Sequence, residues 1–132
     1  MVIHAVLGTD MAMHFEELGA LRSRIANEER PFPDPDDRLD KLTMMRVMLH
    51  SSDISNPTKE LTLYVPWVQR VLTEYFDQGD RERELGLPVS MFMDRSTTNI
   101  AKCQMGFMDF VVTPMFEAVA MAIPTADKQL ET

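Results

Sequence analysis

His50 and Asp53 stand three residues apart in the run His50-Ser51-Ser52-Asp53. At the end of a helix that spacing puts both side chains on one side. The carboxylate is a hard oxygen ligand suited to Zn²⁺ or Mg²⁺. The plainer role is a turn cap, because an Asp ahead of Ser55-Asn56-Pro57 ordinarily bonds its own backbone. Asp10 and His14, four apart, have a spacing that suits a metal and equally suits an ordinary helix surface. Gln104 and Phe107 share a helix face. A carboxamide donates and accepts hydrogen bonds, a purine edge offers a donor beside an acceptor, and a phenyl ring can stack on the base. Taken singly, a helical Phe is ordinarily core and a helical Gln ordinarily wet. The sequence contains no glycine-rich phosphate loop, no Gly-x-Ser-x-Gly elbow and no Cys–His pairing that suggests a thiol nucleophile. Ser51, Ser52 and Ser55 sit near His50, but no third member of a triad is evident.

These residues need helices to hold them. Val6, Met13, Leu18, Leu21 and Ile25 are spaced as one apolar stripe and predict a first helix over residues 4–26, weakened at Gly8 and Gly19. Pro31, Pro33 and Pro35 end it. Asp36 or Asp37 caps a second helix carrying Leu39, Leu42, Met45 and Leu49 on one face, which stops around Asp53 because Asn56-Pro57 cannot continue it. A third helix follows Thr58 with Leu61, Tyr64, Val68, Leu72, Tyr75 and Phe76 at helical spacing, kinks or starts late at Pro66, and stops at Gly79. The alternating charges of residues 80–84 read as a solvated turn, and Gly86-Leu87-Pro88 as loop. A fourth helix covers residues 97–113 and continues past a kink at Pro114 to residue 123, where Pro124 ends it. Residues 125–132 read as the start of a further helix. Almost nothing alternates with period two, so the fold class is all-α, a multi-helix bundle.

Composition narrows the partners. The chain has 132 residues, 45% hydrophobic and 26% charged, which is globular and not disordered. Lys and Arg total 13 against 21 for Asp and Glu, a net charge of −8, unsuited to wrapping nucleic acid or an anionic membrane. One cysteine, Cys103, allows no internal disulfide and no cysteine-based zinc site, so a cytoplasmic setting is expected. The opening residues lack the basic segment of a signal peptide. No apolar run is expected to reach the ~18 residues of a membrane span. Met is frequent at 12 residues, which suits adaptable packing between helices.

His50-Ser51-Ser52-Asp53-Ile54-Ser55-Asn56-Pro57-Thr58-Lys59 resembles a signature of the class I cyclic-nucleotide phosphodiesterase catalytic domain. So does Gln104-Met105-Gly106-Phe107-Met108-Asp109-Phe110, followed by Pro114. Leu7-Gly8-Thr9-Asp10-Met11 and Gln78-Gly79-Asp80-Arg81-Glu82-Arg83-Glu84 agree in the right order and at the right distances. The resemblance covers nearly the whole chain and is closest to the cyclic-AMP-specific members. It implies hydrolysis of cyclic AMP or cyclic GMP to the 5′-monophosphate, in signal transduction. It implies a Zn²⁺ and Mg²⁺ (or Mn²⁺) pair sharing a bridging hydroxide that attacks phosphorus in line, with a histidine protonating the leaving oxygen.

Position by position, the resemblance makes Asp53 a ligand of both metals and Thr9 a residue near a metal-bound water. Gln104 bonds the purine, and Phe107 and Val71 are the two jaws on the base. Asn56 contacts the adenine edge, while Ile54, Phe92 and Trp67 line the pocket wall. His50 supports the motif without binding metal. The family's histidine-rich half, with its general-acid histidine and most of the metal cage, has no counterpart here, since His4, His14 and His50 are the only histidines. A catalytic zinc needs about three protein ligands. Residues 1–132 thus read as the C-terminal portion of such a domain, incomplete at both ends, with no catalytic residue of its own and no turnover expected in isolation. The alternative reading is a non-catalytic purine-binding or interaction module, with self-association through core-facing stripes left exposed.

Overall fold

The computed structural model describes residues 2–123. Among these it contains six α-helices and no strand, as the absence of period-two patterning predicts. The helices are α1 (Val2–Leu7), α2 (His14–Ile25), α3 (Arg38–Asp53), α4 (Leu61–Glu84), α5 (Ile100–Phe107) and α6 (Thr113–Ala122).

The first predicted helix is two. Gly8 resists helical order, and Asp10 adopts an extended backbone whose carboxylate accepts the Ala12 amide at 2.9 Å. An Asp that caps forward in this way cannot also continue the helix behind it. A single 3₁₀ turn, Met11–Met13, then leads into α2. The second predicted helix has the expected ends: Asp37 caps α3 by accepting the Leu39 amide at 2.7 Å, and the helix ends at Asp53. Its expected face is corrected: Leu39, Met45 and Leu49 are exposed, and Asp40, Val47, His50 and Ser51 are the buried residues.

Two expectations about α4 are corrected. Gly79 does not stop it, and residues 80–84 are helical and not a solvated turn. The stop comes at Gly86, where φ is +70°. Gly79 serves close packing instead: a Cβ there would overlap the Met93 carbonyl of the loop that follows. That loop is tied back onto α4 by polar side chains. Glu82 accepts both the amide and the hydroxyl of Ser90, at 2.7 and 2.8 Å. Arg83 pairs with Asp94 at 3.1 Å, and Arg95 with Asp80 at 2.6 Å.

The fourth helix starts at Ile100 and not at residue 97, because Asn99 caps it by accepting the Lys102 amide at 3.0 Å. It does continue past Pro114, through a π-helical turn, Met108–Val112, in which the Thr113 amide bonds the Met108 carbonyl five residues back. Pro114 lacks an N–H and its ring crowds the carbonyl four residues before it. The widened turn just ahead of it is where that conflict is absorbed. Pro124 and residues 125–132 lie outside the described residues.

The core lies where α2, α3 and α6 meet. Leu18 and Leu21 of α2, Val47 of α3, Ile54 just after it, and Met115, Ala118 and Val119 of α6 form one buried cluster, with Phe107 and Val111 packed against it. Residues 100–122 form a rod long and apolar enough, by length and composition alone, to cross a membrane, contrary to the expectation that no run is. Met115 and Ala118 in its second half are fully buried in this core, whereas Ile100, Met105, Phe110 and Met121 are exposed. Val2, Ile3 and Leu7 of α1 and Phe15 of α2 are also largely exposed.

Candidate functional site

The residues expected to read a base lie on α4 and α5. Gln104 and Phe107 are one turn apart on α5, and Tyr64 and Val71 are two turns apart on α4, so each pair shares a face. The Tyr64 hydroxyl donates to Gln104 Oε1 at 3.0 Å, which fastens the two faces to each other. Burial raises the Tyr64 pKa, so the hydroxyl stays protonated and able to donate. With Oε1 engaged, the Gln104 amide nitrogen is left to donate outward. Val71, Gln104 and Phe107 are each half-buried, neither sealed in the core nor fully wet.

Asn56 lies in the 3₁₀ turn Asn56–Thr58, half-buried, just ahead of α4. Phe92 lies on the exposed loop with φ at +67°, a conformation that a bulky side chain rarely adopts and that clusters at functional positions. Trp67 is exposed, with the Arg70 guanidinium 5.3 Å from its ring centre. Ile54 belongs to the buried core cluster. Two surface concavities, of about 430 and 380 Å³, are lined respectively by α4 residues around Arg70 and by residues of α2, α3 and the loop between them. Neither of these two includes Gln104, Phe107 or Asp53.

Asp53 is the last residue of α3 and is exposed. The C-terminal end of a helix carries partial negative charge, which disfavours a carboxylate and favours a cation beside it. The Thr9 hydroxyl donates to the Val6 carbonyl at 2.8 Å and keeps its lone pairs free to accept. Asp10 is engaged as a cap, and His14 is buried with its Nδ1 against His50. Among the described residues no three His, Cys, Asp or Glu side chains gather where a metal could sit. The residues present therefore do not by themselves fit a two-metal centre.

His50 faces inward. Its Nε2 lies 2.8 Å from His14 Nδ1, and both rings are fully buried. Burial holds both imidazoles below the ordinary value near 6.5. His14 is lowered further by His50, while Asp53 opposes the effect at His50. The unfolded chain thus binds more protons than the folded one below about pH 6.5, so stability falls as the pH drops through that range. Urea midpoints are expected to decline from pH 7.5 to pH 5.5, and a His14→Phe variant to show a flatter decline. Equal slopes in the two proteins would exclude the histidines as the cause.

Spacing could have found Tyr64, which stands two turns before Val71, but nothing local points from Tyr64 to Gln104, 40 residues on. The His14–His50 contact, 36 residues apart, has no local signal either.

The profile of the 3′,5′-cyclic nucleotide phosphodiesterase family matches residues 1–132. The chain is 39% identical over 119 residues to the dual specificity calcium/calmodulin-dependent 3′,5′-cyclic nucleotide phosphodiesterase 1B of Bos taurus, covering 90% of this chain and 21% of that protein. It is 37% identical over 136 aligned positions to the 3′,5′-cyclic-AMP phosphodiesterase 4C of Rattus norvegicus, covering 100% of this chain and 25% of that protein. Among solved structures, that of LmjPDEB1 in complex with IBMX superposes with a TM-score of 0.88 at 29% identity, over 98% of this chain and 38% of that one. The chain thus spans about a quarter of the curated relatives it matches, and its similarity is divided between a dual-specificity and a cyclic-AMP relative.

Proposed function

Because this chain belongs to the 3′,5′-cyclic nucleotide phosphodiesterase family, we propose that it forms the base-binding wall of a domain that hydrolyses cyclic AMP, in preference to cyclic GMP, to the 5′-monophosphate. The observation that carries the reading is the bond from Tyr64 to Gln104 Oε1 at 3.0 Å. It leaves the Gln104 amide nitrogen to donate to an acceptor on the purine edge, and one Oε1 lone pair to accept from the 6-amino group of adenine. Cyclic GMP asks for the reversed pattern, which the tyrosine opposes. Phe107 and Val71 hold the flat faces of the base, and Asn56 lies toward its edge.

Zn²⁺ and Mg²⁺, when bound, supply charge neutralisation at the phosphate. Asp53 is this chain's ligand toward them, and the rest of the cage comes from residues outside this segment. No catalytic step is assigned to the segment itself. For the 132 residues alone, the lack of a three-ligand cluster among the described residues favours the second reading, a purine-binding module without turnover.

The test is nuclear magnetic resonance of the ¹⁵N-labelled chain titrated with cyclic AMP and with cyclic GMP. Shifts are expected at Asn56, Tyr64, Val71, Gln104 and Phe107, and are expected to vanish in Gln104→Ala. A Tyr64→Phe variant frees the carboxamide at the cost of one hydrogen bond. It is expected to bring the two affinities closer by about two- to tenfold. Nucleotide-induced shifts that bypass Gln104, or an unchanged ratio in Tyr64→Phe, would count against the reading.

A further inference from the structure

We propose that His14 is a positioning residue: its hydrogen bond to His50 fixes the last turn of α3, which carries Asp53, against the turn that carries Thr9. The inference rests on the reading of Asp53 and Thr9 as the metal-facing side of the site.

The argument begins with placement. His50 lies three residues before Asp53 on α3, and His14 opens α2 directly after the capped turn that follows Thr9. The 2.8 Å contact between them is therefore a direct side-chain tie between the two segments. The next tie along, the Glu17–Arg46 ion pair, lies about one turn away on each helix. Gly8 and the extended Asp10 interrupt the helix ahead of α2, so the Thr9 turn has no continuous helical backbone to hold it in place.

The chemistry of the tie is specific. Two neutral imidazoles share one proton across the contact, so one ring donates and the other accepts. The outer nitrogens, His14 Nε2 and His50 Nδ1, are buried without partners among the described residues. If His14 donates from Nδ1, then His50 carries its own proton on Nδ1. If His50 donates from Nε2, then His14 carries its own on Nε2. Either way one outer end is a donor and the other an acceptor. An apolar pair of the same size would avoid two unpartnered buried nitrogens, which stability alone disfavours. Positioning accounts for the pair where packing does not.

The experiment is residue-resolved hydrogen exchange on the 132-residue chain. In His14→Phe, amides of the Thr9 turn and of residues 53–55 are expected to exchange at least tenfold faster than in the wild type, with α6 and the α4–α5 loop changed less. His14→Asn, whose amide nitrogen stands where Nδ1 stood, is expected to restore both segments. A uniform acceleration over the whole chain, or no rescue by His14→Asn, would overturn the proposal and leave the pair a packing element. If His14→Phe does not fold, the imidazole ¹⁵N spectrum of the wild type decides: a slowly exchanging, strongly downfield bridging proton supports the tie, and its absence sinks it. Millimolar Mn²⁺ is the separate check on the underlying reading. It is expected to slow exchange at residues 53–55 in the wild type and not in Asp53→Asn. Failure there removes the metal role of Asp53, whereas a failed rescue removes the positioning role of His14.

Discussion

Replacing Arg24 with alanine is expected to cost about 3–5 kcal/mol of folding stability. Asp40 is a buried carboxylate on α3, and Arg24 of α2 answers it with one edge of the guanidinium, at 3.0 Å from Nε and 2.6 Å from Nη2. The Asp34 amide donates to the same carboxylate at 3.0 Å. Arg24 also donates to the carbonyls of Arg30 and Pro31, at 2.7 and 3.2 Å, and lies 5.3 Å from the centre of the Phe32 ring. One side chain thus gathers the proline-rich loop onto the α2–α3 junction. Removing it leaves a buried charge with one amide for company, and a charge so placed costs far more than the pair contributed. Urea denaturation measures the loss. The double variant Arg24→Ala with Asp40→Asn is expected to recover a substantial part of it, because the carboxamide is neutral. Lysine at position 24 is expected to be a poor substitute, since a point charge cannot make the forked contact. An Arg24→Ala protein within about 1 kcal/mol of wild type would contradict the pair's importance.

Gly79→Ala is expected to destabilise by about 1–3 kcal/mol, although alanine is the better helix former by ~1 kcal/mol. The new Cβ meets the backbone of Met93 and not a pliable side-chain tip, so the loop itself must retreat. Retreat disturbs the contacts of Ser90 with Glu82 and of Asp94 with Arg83. Asp94, held down to about 2 by the Ser96 hydroxyl and amide with help from Arg83, is the most strongly acidified of these carboxylates. Gly19→Ala is the matched control: nothing lies within 4 Å of its Cβ position on α2, so the same exchange is expected to stabilise by about 0.5–1 kcal/mol. Calorimetry on the two variants reads the opposite signs, and loss of amide protection over residues 90–98 in Gly79→Ala locates the damage. Two alanine variants of equal stability would remove the close approach as the reason for this glycine.

The helices were legible in the sequence wherever a cap or a proline marked an end. Asp37, Asn56-Pro57 and the prolines between α2 and α3 did so through local chemistry. The misreadings share one cause. Gly79 carries the local signal of a helix end, yet it is needed by a loop fourteen residues later. The charges of residues 80–84 look solvated until Ser90, Asp94 and Arg95 arrive to meet them. Gly8 and Asp10 have the reverse history, where a stripe of apolar residues outweighed a break that the backbone takes. At the site, the types and spacing of Gln104, Phe107 and Asp53 were visible. Their orienting partners, Tyr64 and His14, were not, because each reaches across more than 30 residues of chain.

The widened turn ahead of Pro114 sets an angular phase. Gln104 and Met115 are eleven residues apart, and in an unbroken α-helix eleven residues make close to three whole turns. The two side chains would then point the same way, and one of them would be misplaced, since Met115 is sealed in the core while Gln104 meets Tyr64. The wide turn takes up one extra residue, so everything after it lags by about 100°. A single continuous rod can therefore present Gln104 to Tyr64 and Met115 to the core. The length of residues 108–112 matters here more than their identity: substitutions within the turn adjust packing, whereas losing one residue would re-index the amide of Gln104 away from Tyr64 altogether.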